Sequence, residues 1–227
     1  MSTASISILQ SKLEKDIAWR KKEIGSITLL ATQSSPDLHH IFRAGTVMLC
    51  AHWEGYLKGA IQRYVDHVLA QRLPLKELSP AFVANLYFRD VKSAAKADYP
   101  GAENHHIRLA QRILKGIDAI CEPPSWDMEG EANPGTGMLD RLLRSVGLSS
   151  NLGLNTADWS TMKVFIDEHI LVDRNKVAHG EYCKVEKNVF IERSERLVQL
   201  LDILTDLILQ AALRQLYRSA PMAVPPQ

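Results

Sequence analysis

The chain of 227 residues is 46% hydrophobic and 23% charged, a globular composition that excludes a low-complexity or wholly disordered protein. Its 27 basic and 26 acidic side chains leave a formal charge of +1, so no global field draws it to nucleic acid or an anionic membrane, and any such binding must come from a local patch. Three widely spaced cysteines, Cys50, Cys121 and Cys183, argue against a disulfide framework and a paired-thiolate zinc site, and fit a reducing cytoplasm.

No stretch approaches the roughly 18 uninterrupted apolar residues of a membrane span, and the N-terminus has no basic region followed by a long apolar run. A soluble, unsecreted protein without membrane association is expected. Apolar residues recur every three or four positions, and alternating β-branched runs are scarce, so the fold class is all-α with at most a hairpin. The first helix spans about 5–32, with Ile6, Leu9, Leu13, Ile17, Ile24 and Ile27 on one face and Lys12, Lys15, Arg20, Lys21 and Lys22 elsewhere. Ser34, Ser35 and Pro36 end it.

A second long helix, about 37–72, carries Val47, Ala51, Leu57, Ile61, Tyr64, Val65 and Val68 as its core stripe and stops before Pro74. Helices follow at about 79–97 and 105–121, and then EPPSWDMEGEANPGTG (122–137) blocks helix continuation and marks a loop insertion. MLDRLLRSVGL reads as a short helix closed by Gly147, and TADWSTMKVFIDEHILVDRNKVAHG as one helix, or two joined near Val172 and Asp173. EYCKVEKNVF is irregular or a small hairpin, and a long amphipathic helix from Ile191 to Ser219 faces Leu197, Leu200, Leu201, Leu204, Leu207, Ile208 and Ala211 inward. Residues 1–219 form a single bundle-like domain, and 220–227 are a disordered tail.

In LVDRNKVAHGEY, four residues separate Arg174 from His179, Asn175 follows the arginine and Gly180 follows the histidine. On a helix Arg174 and His179 differ by about 140° and about 7.5 Å, so they share one broad side without being direct neighbours. A guanidinium and an imidazole there can converge on one phosphate, the first with charge and forked hydrogen bonds, the second as a proton carrier near neutral pH. Gly180 is a C-terminal cap that puts His179 in the last turn. The same residues also suit an ordinary helix terminus.

Glu54, in LCAHWEGYLK, falls inside the second helix's apolar stripe and needs a partner. It pairs with Arg174 or orients His179, or else it meets a lysine or arginine elsewhere or lies wet. The adjacent pairs His39, His40 and His105, His106 diverge on a helix, and His169 lacks HExxH spacing, so no metal site is expected. Serine nucleophile and phosphate-loop signatures are absent.

RNKVAHG resembles the Arg-x4-6-His signature of the HEPN superfamily (higher eukaryotes and prokaryotes nucleotide-binding). IAWRKKEI, GTVMLCAHWEGYLKGAI, NPGTGMLDRLLRSVGL and VDRNKVAHGE are similar, in this order, to its MAE-like branch, over nearly the whole chain. NPGTGM departs from the expected segment, and no role passes to Asn133. The resemblance implies a HEPN-type helical bundle and a metal-independent endoribonuclease with no cofactor, acting as a homodimer with a composite active site. It also implies a toxin-antitoxin or antiphage setting, with an antitoxin or other defence-system partner.

By the same resemblance, His179 serves as general base or acid, Arg174 holds the scissile phosphate, Asn175 adds a hydrogen bond and Glu54 orients the pair. Attack by the 2′-hydroxyl would leave 2′,3′-cyclic phosphate ends and limit the substrate to RNA. Lys176, Lys184, Lys187, Arg193 and Arg196 could follow the RNA backbone, Trp53 and Tyr56 could stack on a base, and His52 could join the site. Solvated charges and core aromatics are the plainer reading of these. A non-catalytic helical module that dimerises or binds RNA or a nucleotide is the alternative.

Overall fold

The computed structural model describes residues 3–97, 105–120 and 133–219. Among them every regular element is helical, as the apolar periodicity requires, with only isolated bridges at Pro74–Ile120 and Leu78–Arg218. Helix α1 (Thr3–Gln33) ends at the Ser34–Pro36 turn, and α2 (His39–Leu69) stops short of Pro74. Leu9, Leu13, Ile17 and Ile24 of α1 are buried, but so are Asp16 and Arg20. Arg20 was expected off the apolar face. It stays inside because Asp16, one turn earlier, accepts its Nε–H at 3.0 Å, along with Trp19 Nε1–H at 2.8 Å, and pairs with Arg63 at 3.0 Å.

The segment expected as one helix over 79–97 divides into α3 (Pro80–Leu86) and α4 (Phe88–Ala94), because Tyr87, with φ −94° and ψ 3°, turns its buried side chain under the break. Helix α5 (His105–Gly116) ends at its glycine rather than running to 121 and buries none of its residues. Helix α6 (Thr136–Ser145) starts inside the stretch expected as a loop, and its end is closed near Gly147, at φ +75°, with Leu148 N–H donating to the Leu143 carbonyl at 2.8 Å. The rest of the loop expected over 122–137, through residue 132, and the tail 220–227 lie outside the described residues.

Helix α7 (Thr156–Val164) is capped by the Asn155 side chain, which accepts the Asp158 N–H at 2.9 Å. It runs on without interruption into a π-helical segment, Phe165–Val172, and then α8 (Asp173–Ala178). The join falls at Val172 and Asp173 as the sequence suggested, but as a change of winding rather than a break. Helix α9 (Lys187–Leu213) begins four residues before the expected Ile191. EYCKVEKNVF is therefore no hairpin; its second half is the first turn of α9, and Lys187 donates to the carbonyls of Thr32 and Ser34, capping the end of α1.

Helices α1, α2 and α9 pack on one another as the central bundle, and α8 and the π-helical segment lie against α2. Trp53, Tyr56, Tyr64, Leu197, Leu201 and Leu204 are fully buried between them; each such side chain contributes about 1.5–3 kcal/mol through burial. Trp53 Nε1–H donates to the Pro134 carbonyl at 2.6 Å, fixing the start of α6 on α2. At Gly135 an added Cβ would meet Asp167 Oδ1 and Leu171 Cδ2 at 2.8 Å, so any larger residue would have to displace these two side-chain ends. Asp167 in turn accepts the Thr136 N–H at 2.7 Å and its hydroxyl at 2.6 Å, capping α6 from the π-helical segment.

Candidate functional site

The end of α8 is built by its glycine. Gly180 has φ +75°, and its N–H donates to the Val177 carbonyl at 3.1 Å while Glu181 N–H donates to Lys176 at 2.9 Å. These two bonds form a Schellman motif, which satisfies carbonyls that the helix end would leave open. His179 is the C-terminal cap residue, with φ −89° and ψ 6°, and its side chain is exposed. Arg174 and Asn175 are half-buried, and Arg174 Nη1–H donates to Asn175 Oδ1 at 2.9 Å. That bond fixes one edge of the guanidinium and leaves its other donors for an anion.

Glu54 sits differently from the expectation. Val47 is half-buried and Ala51 exposed, so the 47–51–54 line is not the core stripe of α2; the core line runs through Leu49, Trp53, Tyr56, Ala60 and Tyr64. The Glu54 side chain is 26% exposed and pairs with Lys58 at 2.8 Å, one turn along its own helix. No ion pair joins it to Arg174 among the described residues. Both groups nevertheless act on Cys50, whose thiol burial pushes up to about 11 while Arg174 lowers it and Glu54 raises it. Glu54 and Arg174 therefore both lie within electrostatic reach of Cys50, with no ion pair between them among the described residues.

Three further candidates lie away from the motif. His52 is buried; its Nε2 is 3.2 Å from Glu23, and the Trp19 ring meets it edge-on, so it belongs to the α1–α2 contact. Tyr56 is wholly buried and its hydroxyl donates to Thr205, whose own proton goes to the Leu201 carbonyl. It cannot stack on a base. Trp53, fully enclosed, has no ring face to offer either.

Lys176 is exposed and stands 4.0 Å from Asp173, and Lys184, also exposed, pairs with Glu186 at 2.7 Å. Three residues near the motif take roles that the sequence did not assign to them. Asp173 pairs with Arg193 of α9 at 2.7 Å, with side chains 16% and 12% exposed, and so fastens the start of α8. Arg43 of α2 donates to the Glu181 carbonyl at 3.1 Å, holding the chain just past Gly180. Tyr182, three residues beyond His179, is 83% exposed. A lone tyrosine or arginine carries no spacing signal, whereas Asp173, marked in the sequence only as a helix joint, is the acid directly before Arg174.

Among the described residues no group of three or more His, Cys, Asp or Glu side chains converges to hold a metal ion, and no helix is long and apolar enough to cross a membrane. Neither the curated proteins nor the solved structures contain a match to the chain. The RiboL-PSP-HEPN family matches it over residues 15–210, from the middle of α1 to near the end of α9, enclosing both Glu54 and the whole of α8. This match does not single out the MAE-like branch, but with the helical bundle it settles the wider question: the chain belongs to the RiboL-PSP-HEPN family of the HEPN superfamily.

Proposed function

We propose that the protein is an endoribonuclease that uses the α8 motif, consistent with the nuclease or RNA-related activity its family suggests. The observation that carries this reading is the placement of His179 in solvent at a glycine-closed helix end, five residues beyond a guanidinium already oriented by Asn175. In this reading Arg174 binds the scissile phosphate and stabilises its growing charge, and His179 transfers the proton at the 2′-hydroxyl or the leaving oxygen. Asn175 positions Arg174. Glu54 contributes charge across the helix contact rather than a direct bond. Lys176, exposed beside the motif, is a backbone contact for the strand, and Lys184 adds to the same field.

A motif whose histidine is exposed at a helix end excludes little water, which favours a composite site in which a second copy of the chain closes over the first. A cytoplasmic toxin or antiphage effector, neutralised by an antitoxin or held by another defence-system partner, is the biological setting this reading proposes. The test is incubation of RNA with the protein in EDTA, followed by end-group analysis. Cyclic phosphate ends, with a loss of about 10²–10⁴-fold in rate for His179→Ala and a similar loss for Arg174→Ala, are expected. Full activity in His179→Ala, or 5′-phosphate ends made only with added metal, would overturn it. A non-catalytic dimerisation or binding module would leave RNA intact in every lane.

A further inference from the structure

Two cavities of about 230 Å³ and about 360 Å³ lie along the π-helical segment and the first turns of α9, and Phe165, His169 and Arg196 line both. Arg193 lines the smaller one. Its guanidinium is held by Asp173 through Nη1 and donates from Nη2 to His169 Nδ1 at 3.2 Å, but its buried Nε–H finds no acceptor among the described residues. An arginine only donates, so His169 Nδ1 accepts, and the ring proton sits on Nε2 as a further donor. Burial, reinforced by the Arg193 charge, holds His169 below the usual histidine range and keeps the ring neutral near pH 7. The Arg196 guanidinium lies over the Phe165 ring at 5.2 Å and is in no ion pair among the described residues.

The lining carries His169 and Arg196 as donors and one carboxylate, Glu192, which is exposed to solvent. Asp173 balances Arg193, whose Nε–H is sealed from solvent, so Arg196 is the cation of the lining that holds no ion pair among the described residues. Arginine donors beside a neutral imidazole suit the oxygens of a phosphate. Asp173 immediately precedes Arg174, so the ion pair that shapes this pocket also anchors the first turn of α8.

We infer that the cleft between the π-helical segment and α9 is a phosphate subsite for the RNA strand, with Arg196 and His169 binding a phosphodiester group other than the one held by the α8 motif, and Arg193 holding the His169 ring in place. The inference rests on the ribonuclease reading for its ligand. Its chemistry is that of any phosphate, and the alternatives are a free anion or a mononucleotide.

A 2′-O-methyl single-stranded oligonucleotide lacks the attacking hydroxyl, so its binding is read independently of cleavage. Wild type, Arg196→Gln, Arg196→Lys and His169→Ala would be titrated with it at several salt concentrations, with thermal melts to verify folding. Arg196→Gln is expected to weaken binding about 5–10-fold and to lower the log–log salt slope by about 0.7, the share of one phosphate contact on a single strand. Arg196→Lys should restore the slope and part of the affinity, which a merely structural role would not do. His169→Ala should weaken binding about 3-fold with the slope unchanged. Unchanged affinity and slope in Arg196→Gln overturn the subsite even if RNA is cleaved normally. A lowered slope without any cleavage by wild type keeps the subsite and sinks the ribonuclease reading instead. Inorganic phosphate bound by wild type but not by Arg196→Gln, with equal oligonucleotide affinity for both, would make the pocket a small-anion site and overturn the RNA assignment.

Discussion

Replacing Gly180 with alanine perturbs the candidate site through the backbone alone. An added Cβ meets nothing within 4 Å, so the cost is not a clash but the left-handed conformation at φ +75°, about 1–2 kcal/mol for an L-residue. Alanine also narrows the unfolded ensemble, which returns about 0.4–1 kcal/mol, so the net loss is about 1 kcal/mol. Unwinding the last turn instead would break the Glu181–Lys176 and Gly180–Val177 bonds, at about 0.5–1.5 kcal/mol each. The two routes are close in cost, and the variant divides between a strained intact turn and a frayed one. Urea unfolding should show the midpoint falling with the slope unchanged, and kcat for RNA cleavage should fall about 2-fold through the frayed population. Gly180→Asn, which tolerates positive φ, should lie between. Equal midpoints and equal kcat for wild type and Gly180→Ala would refute the claim that this glycine places His179.

Tyr56→Phe should cost about 1 kcal/mol by removing the buried bond to Thr205, and leave KM for RNA unchanged; a raised KM in steady-state assays would return Tyr56 to the site. Asp173→Asn leaves the mostly buried Arg193 without its counter-ion and should destabilise by about 2 kcal/mol, with part recovered in Asp173→Asn/Arg193→Met; additive losses in urea melts would count against the pairing. Stability should also depend on acid. His52, His67 and His169 are each held below the ordinary value of 6.5, by burial foremost. Their neutral rings stabilise the fold above that value, and the contribution is lost as pH falls through it toward the lower folded pKa values. The urea midpoint should therefore drop between pH 7.5 and 5, less so in His67→Gln; a flat profile would contradict the assignment.

The long elements were readable because their signals are local. Pro36 and Pro74 bracket α2, the heptad-like leucines define α9, and Gly180 announces the end of α8. Glu54 was misplaced because Val47, Ala51 and Glu54 fall on one helical line that looks apolar by composition, while the line buried in the bundle lies around it through Trp53 and Tyr56. No periodicity count separates two such lines when both carry apolar residues. The winding of FIDEHILV was invisible for another reason: it contains no glycine or proline, and its geometry answers to partners elsewhere, Thr136 held by Asp167 and Gly135 lodged against Leu171. The same holds for the Asp173–Arg193 pair, which exists only once α9 is folded onto α8.

In an α-helix each residue's bearing follows from the one before by about 100°. The wider coil at Phe165–Val172 releases α8 from that arithmetic, so the azimuth of Arg174 relative to α7 is carried by the number of residues wound between them. Inserting one alanine after exposed Glu168, where the winding is already wide and cannot absorb it, should swing Arg174 and Asn175 together by about 80–100°, with the helical circular dichroism retained and cleavage abolished. An insertion variant that still cuts RNA would show that the bearing is set elsewhere. Residue count in this coil thus works as a dial on the direction the motif faces, adjustable by insertion without altering a single motif side chain.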